Sequence, residues 1–404
     1  MAITKQPVLN IGLAGHVDHG KTTLLYQLTG KWTDTHSEEL KRGITIKLGY
    51  ADAVLRKCSK CGMLTTKQEC KCGGKAEDVK YVSFVDVPGH EMLMATMMSG
   101  AAIIDAALLL IAATEGIKPQ TKEHLAALDA KGIHNIIIVQ NKIDLVTKER
   151  AIENYEEIKK FVKGTVAENA PIIPISAQQG ANIEMLLEAI DKLPLPKRDT
   201  ESKPLFFIAR SFDTNRPGTL IDDMVGGVLG GVLKQGRLKV GDIIEIKPGM
   251  AVKKHNITEY VTVKTKIAGL QTGNNKLEEA IPSGSLAIQT ELEPGMTKAD
   301  SLSGCVASLS GTLPQITKNI KLKVSLFKEI LGLDKEEKVA PVKINEPLLL
   351  SVNTSITVGI VTKIKGNELD LVLKIPIVPL AGSNIGVARN LSGHWRLIGW
   401  GEII

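Results

Sequence analysis

Aromatic residues are scarce in this chain of 404: six Phe, five Tyr and three Trp make up 3% of it. So thin a supply argues against nucleic acid held by serial base stacking, and it directs any such recognition toward shape and backbone. Long apolar runs are missing as well. The strongest, Ala101 to Ala113, is short for a bilayer and carries Asp105. No basic segment followed by an apolar one opens the chain, so a cytoplasmic protein with no membrane partner is expected. Repeats and low-complexity tracts are lacking, and the composition, 43% hydrophobic and 23% charged, is that of a globular protein. A net charge of +6 suits a polyanionic partner without requiring one. Cysteine is rare, and four of the five fall between Cys58 and Cys72. In a reducing compartment that clustering reads as metal binding rather than disulfides, with Cys305 left as an inert core thiol.

What is present divides along the chain. The length exceeds what one hydrophobic core usually serves, so two or three domains are expected. Short apolar runs at Ile11–Ala14, Val82–Asp86, Ala106–Ala112, Ile136–Gln140 and Ile172–Ile175 read as strands. They alternate with helical patterns at Lys21–Leu28, Met92–Ser99, Gln120–Ala130, Lys148–Val162 and Ile183–Leu193, the rhythm of a doubly wound sheet. Leu193–Thr200, broken by two prolines, reads as a linker. Beyond it, β-branched runs punctuated by Gly, Pro and Asn predict β-barrels, with a second boundary near Pro314–Leu322. The expected architecture is an α/β P-loop domain with a mostly parallel sheet over 1–200, then two β-barrel domains over 201–316 and 317–404.

Gly15-His16-Val17-Asp18-His19-Gly20-Lys21-Thr22 fits the phosphate-loop pattern G-x-x-x-x-G-K-[ST], between an expected strand and an expected helix. The glycines let backbone amides face phosphates, the helix N-terminus adds partial positive charge, and Lys21 supplies a point charge for the β and γ phosphates. Asp18, His19, Gly20, Lys21, Thr22 and Thr23 are therefore assigned to nucleotide binding, with Thr22 as a ligand of Mg²⁺. Asp86-Val87-Pro88-Gly89-His90 closes the next strand, placing the Asp86 carboxylate where it reaches the metal through water. Gly89 can bring its N–H to the γ phosphate and sense its loss. His90 then lies beside the attacking water and is the candidate catalytic residue.

Asn141-Lys142-Ile143-Asp144 follows a strand and offers what guanine needs, a carboxylate on Asp144 that accepts two N–H groups from the base edge. Adenine lacks that pair. Two charge-assisted bonds of roughly 1.5–3 kcal/mol each discriminate GTP from ATP by about two to four orders of magnitude. Ser176-Ala177-Gln178 completes the set, with the Ala177 amide expected on the guanine carbonyl oxygen. Each of these elements alone is an ordinary turn; in this order they describe a P-loop GTPase. Cys58-x-x-Cys61 and Cys70-x-Cys72, inside an insertion spanning 56–76, offer four thiolates, enough for a tetrahedral structural Zn²⁺.

Ser37-Glu38-Glu39-Leu40-Lys41-Arg42-Gly43-Ile44-Thr45-Ile46-Lys47-Leu48-Gly49-Tyr50, the cysteine insertion and Asp86 to Glu91 resemble the gamma subunit family of archaeal and eukaryotic translation initiation factor 2. Arg210–Asp213, Gly226–Gly231, Leu302–Gly304 and Trp395–Gly401 are similar to stretches of its two barrels. The resemblance implies that Thr45 reaches Mg²⁺ only while the γ phosphate is present, that Asp18 and Gly43 also serve the metal, and that Val17 and Ile44 gate His90. It further implies a heterotrimer with alpha and beta subunits that brings methionylated initiator tRNA to the small ribosomal subunit, with GTP hydrolysis to GDP driving release. Arg389 and Arg396 are basic candidates in the last domain. The second cysteine pair is one residue shorter than the family's usual Cys-x-x-Cys, which bears on zinc affinity, and Val87 stands where the family tends to have Ala. Two other readings stay open: an elongation-type GTPase such as the selenocysteine-specific factor, and a zinc-dependent nucleic-acid-binding protein with a vestigial GTP site.

Overall fold

The computed structural model describes residues 5–32, 48–88, 98, 100–216, 218–255, 257–330, 337–380 and 382–404. The chain divides into two compact units: Met1–Pro196 with Lys328–Val339 and Leu391–Leu397, and Lys197–Phe327 with Ala340–Asn390 and Ile398–Ile404. Among the described residues no helix is long and apolar enough to cross a membrane.

The first unit is built on a seven-stranded sheet: β1 (Leu9–Gly15), β2 (Gly49–Cys58), β3 (Leu64–Thr65), β4 (Ala76–Asp86), β5 (Ala106–Ala112), β6 (Ile136–Asn141) and β7 (Ile172–Pro174). Their spatial order is β3-β2-β4-β1-β5-β6-β7. β1 pairs in parallel with β4, Leu9 opposite Val82, and with β5, Ile11 opposite Ala106; β5 to β6 and β6 to β7 are parallel too. Every residue of β1, β5 and β6 is buried. That is the condition under which a strand reads as a continuous apolar run, and it is why these strands stand out in the sequence.

The helices are α1 (Lys21–Thr29), α2 (Pro119–Ala130), α3 (Lys148–Val162) and α4 (Ile183–Asp191). Helix α1 ends on Gly30, left-handed at φ 71°, whose N–H bonds the Tyr26 carbonyl. Helix α3 starts from Thr147, whose hydroxyl accepts the Arg150 N–H. The predicted helix at Met92–Ser99 lies outside the described residues apart from Met98.

Because β1 is flanked by β4 on one side and β5 on the other, the chain turns in opposite directions from it. The loops leaving the carboxyl ends of β1, β4, β6 and β7 therefore share one edge of the sheet, where such folds bind ligands. Strand β2, antiparallel to β4, and the short hairpin strand β3 are not among the predicted strands. The inward positions of β2 include Ala51, Ala53 and Leu55, two of them small, and the outward Val54 breaks the alternation, so its period-2 apolar signal is weak.

Beyond the first sheet two six-stranded barrels close. The first runs Ile243–Lys254, Val306–Leu309, Leu205–Phe212, Val228–Gln235, Leu286–Thr290 and Ile257–Thr272 in spatial order, with the first and last strands paired. Its glycine run has a packing cause: at Gly231 the Phe207 carbonyl approaches so closely that no Cβ fits. The second barrel orders Thr317–Leu326, Glu368–Ile377, Ser355–Lys365, Pro347–Val352, Asn384–Leu391 and His394–Ile403. Arg389 is not a solvated cation there. It is 9% exposed and gives its guanidinium to Glu346 and to the Ala340 and Pro341 carbonyls. Arg396 is 8% exposed, so neither arginine offers the open basic surface expected of it.

Candidate GTP and metal sites

The phosphate loop leaves β1 through Gly15, at φ 139°, where a Cβ would lie 2.5 Å from the Leu110 carbonyl oxygen. It enters α1 through Gly20, left-handed at φ 88°. Both glycines are demanded by backbone conformation before any ligand is considered. Lys21 Nζ donates to the carbonyls of Gly15, at 3.0 Å, and His16, at 2.8 Å, so its charge is held over the loop. Thr22 and Thr23 open the first turn of α1, and Asp18, left-handed at φ 62°, is exposed.

Thr22 Oγ1 donates to Asp86 Oδ2 at 3.0 Å, which unites the start of α1 with the end of β4. A hydroxyl and a buried carboxylate beside a phosphate-binding loop are hard oxygen donors, the chemistry that suits Mg²⁺. Gly43, Thr45, Gly89 and His90 lie outside the described residues.

Asn141 joins two loops. Its Nδ2 donates to the His19 carbonyl at 2.9 Å, and its Oδ1 accepts the Ala177 N–H at 3.0 Å. Asn141 thus ties the phosphate loop to the loop after β7 through both ends of its amide, and the Ala177 N–H, the expected donor to the guanine carbonyl oxygen, points to the Asn141 amide oxygen. The His19 side chain turns inward, fully buried, with Nδ1 at 3.1 Å from the Leu110 carbonyl oxygen, so the imidazole faces β5 rather than phosphate. Lys142, left-handed at φ 62°, sets the short turn that leaves Asp144 exposed, and its Nζ lies 3.7 Å from Glu115. Ser176 is buried, its Oγ accepting the Gln179 N–H at 3.1 Å, while Gln178 is exposed.

The four clustered cysteines converge. Their sulfurs all lie within 4.8 Å of one another, with Cys58 to Cys72 at 3.5 Å and Cys61 to Cys70 at 3.6 Å. Zinc–sulfur bonds of about 2.3 Å in a tetrahedron separate sulfurs by about 3.8 Å, so the shortened second pair still fits a Zn²⁺. The Cys61 backbone N–H, aided by that of Lys60, holds the Cys58 thiol down to about 6, which favours the ligating thiolate.

Residues 6–195 match the family described as the elongation factor Tu GTP binding domain, and residues 318–403 match the C-terminal family of initiation factor eIF2 gamma. The translation initiation factor 2 subunit gamma of Methanococcus vannielii is 52% identical over 410 residues, covering 100% of both chains. That of Methanocaldococcus jannaschii is 53% identical over 402 residues, 99% of this chain and 98% of its own. This chain belongs to the initiation factor 2 gamma subunit family. It is a translational GTPase. A bacterial selenocysteine-specific elongation factor shares the fold, with a TM-score of 0.76 at 24% identity over 99% of this chain and 58% of that one.

Two further residues bear on the GTP site of this gamma-family chain and escape sequence reading. His124 Nδ1 accepts the Gly15 N–H at 2.8 Å, and Gln120 Oε1 accepts the Val17 N–H at 3.4 Å. Both project from α2, which follows β5 by a loop and carries no nucleotide motif. Only their helical spacing of four, which puts both on one face, links them in the sequence.

Burial first, then the Lys21 charge and the neighbouring histidines, pushes His124 down to about 3, and burial likewise takes His19 to about 3. Both are neutral at pH 7, and neutral His124 keeps the lone pair that Gly15 needs. In the unfolded chain these groups take up protons below their ordinary 6.5. Stability is thus intact above about pH 6.5 and is lost progressively as pH falls toward 3, by up to about 1.4 kcal/mol per pH unit for each histidine. Denaturant unfolding of the first unit between pH 7 and 5 should show this decline. His124→Gln, which retains an acceptor for Gly15, should make it shallower by one proton; an unchanged slope would contradict the assignment.

Proposed function

We propose that this chain is the nucleotide-switching subunit of a translation initiation factor. In this reading it binds methionylated initiator tRNA in its GTP form, delivers it to the small ribosomal subunit in a heterotrimer with alpha and beta subunits, and lets go after hydrolysis. One observation carries the guanine switch: the Asn141 amide joins the phosphate loop and the loop after β7, beside the Thr22–Asp86 contact. Identity above 50% over whole chains named as gamma subunits supports the initiation role, and the net charge of +6 suits a polyanionic ligand.

In this mechanism the amides of Asp18 to Thr23 and the Lys21 ammonium hold the phosphates, Asp144 accepts the base N–H groups, and the loop Ser176–Gln178 faces the guanine carbonyl oxygen with the Ala177 amide. Thr22, Thr45 and Asp86, with help from Asp18 and Gly43, hold Mg²⁺, which supplies charge neutralisation at the β and γ phosphates. Gly89 reads the γ phosphate through its N–H, and His90 orients the attacking water. The cysteine cluster holds a structural Zn²⁺.

Filter binding of methionylated initiator tRNA should be clearly tighter with GTP than with GDP; equal affinity would favour a vestigial nucleotide site. Asp144→Asn should move preference from GTP toward xanthosine triphosphate, because an amide can donate to the carbonyl that replaces the guanine amino group. Competition calorimetry reads that shift, about two orders of magnitude or more. His90→Ala should slow single-turnover hydrolysis about a hundredfold or more while sparing GTP affinity, and a normal rate would remove His90 from the mechanism.

A further inference from the structure

The loop after β7 is a tight turn. Ser176 and Ala181 exchange backbone bonds of 3.2 and 3.1 Å, and the buried Gly180, left-handed at φ 66°, returns the chain from the exposed Gln178 and Gln179 to Ala181. On one side Gln27 of α1 packs so close that a Cβ on Gly180 would meet its Nε2 at 2.6 Å. On the other side stands Lys71, whose Nζ donates to the Gly180 carbonyl at 3.3 Å. Lys71 lies between Cys70 and Cys72, so its backbone is anchored at both neighbours once those sulfurs share a metal.

The insertion also packs against α4, the helix that follows this loop, through its short hairpin strand β3. Leu64, on the hairpin strand that Cys58 and Cys61 precede, is 9% exposed and belongs to one apolar cluster with Ile175, Ala177, Ile183 and Leu187. Its placement is tied to the cysteines, because the Cys58 N–H bonds the Met63 carbonyl at 2.9 Å and the Gly62 N–H bonds the Cys58 carbonyl at 2.9 Å. Between hairpin and helices lies a cavity of about 370 Å³. The insertion therefore does not grip the loop along a continuous face; its links to it are the Lys71 bond to the Gly180 carbonyl and the apolar cluster that Leu64 shares with Ile175 and Ala177.

We infer that the metal-bound cysteine insertion positions the guanine-facing loop Ser176–Gln178 through Lys71 and Leu64, so that metal occupancy and guanine nucleotide affinity are coupled. Lys71 is a positioning residue that acts through the Gly180 carbonyl. Coupling of this kind is reciprocal, so bound nucleotide tightens metal retention by the factor by which metal tightens nucleotide. The inference rests on the guanine site proposed above.

The test uses the full chain, with calorimetry for GDP and for the diphosphate of 2-aminopurine riboside, which lacks the 6-oxygen that this loop faces. Metal content is followed by chelator release. Lys71→Ala should keep one zinc per chain, weaken GDP about threefold to tenfold and leave the 2-aminopurine nucleotide unchanged; Lys71→Arg should restore GDP. Stripping zinc from the wild type should weaken GDP at least as much, and stripping it from Lys71→Ala should add less than in the wild type. GDP affinity unchanged by both treatments, or an equal loss for both nucleotides, would overturn the inference. Wild-type protein without preference for GDP over ADP would instead sink the guanine site itself.

Discussion

Everything at the GTP site hangs on one side-chain amide. Asn141 ends a wholly buried strand, so its position is set by the sheet, and from there it takes the His19 carbonyl with one end and the Ala177 N–H with the other. A primary amide suits that task because it is donor and acceptor on one rigid plane. Removing either bond would strand a buried polar group, so the two loops are held at a separation that neither chooses alone. The close fit of Gly20 against the same Nδ2 explains why the helix must be entered through a glycine with no side chain.

Charge is managed around this amide by burial. Lys21 keeps its ammonium among carbonyls, while His19 and His124, close to it and nearly sealed from solvent, are kept neutral. A neutral ring can accept the Gly15 N–H; an imidazolium cannot. The phosphate loop is therefore shaped by a neutral acceptor, and the positive potential comes from Lys21 and the helix terminus.

The cysteine insertion belongs to the same design. It is too poor in apolar residues to order itself, yet its Leu64 shares an apolar cluster with Ile175 and Ala177 of the loop after β7, and its Lys71 reaches the Gly180 carbonyl. A segment that folds around a metal can thus brace a loop distant in sequence, since the energy that orders it comes from ligation rather than burial. The shorter spacing of Cys70 and Cys72 does not prevent convergence, because the turn through Gly73 and Gly74 lets Cys70 and Gly74 pair their backbones at 2.9 Å.

The sequence by itself determined the parallel strands and the helices described between them, and it singled out the phosphate-loop motif, since buried strands leave unbroken apolar runs and phosphate binding demands glycine at fixed positions. It also marked the barrel texture and the cluster of four cysteines. Tertiary structure alone decided that Asn141 joins two loops, that the Ala177 N–H is taken by it, that Gln120 and His124 reach the phosphate loop, and that Arg389 and Arg396 are buried. Those facts depend on which side chains meet across separations of tens to hundreds of residues. Local pattern records which face of an element is apolar; it does not record which polar partner waits on the other side.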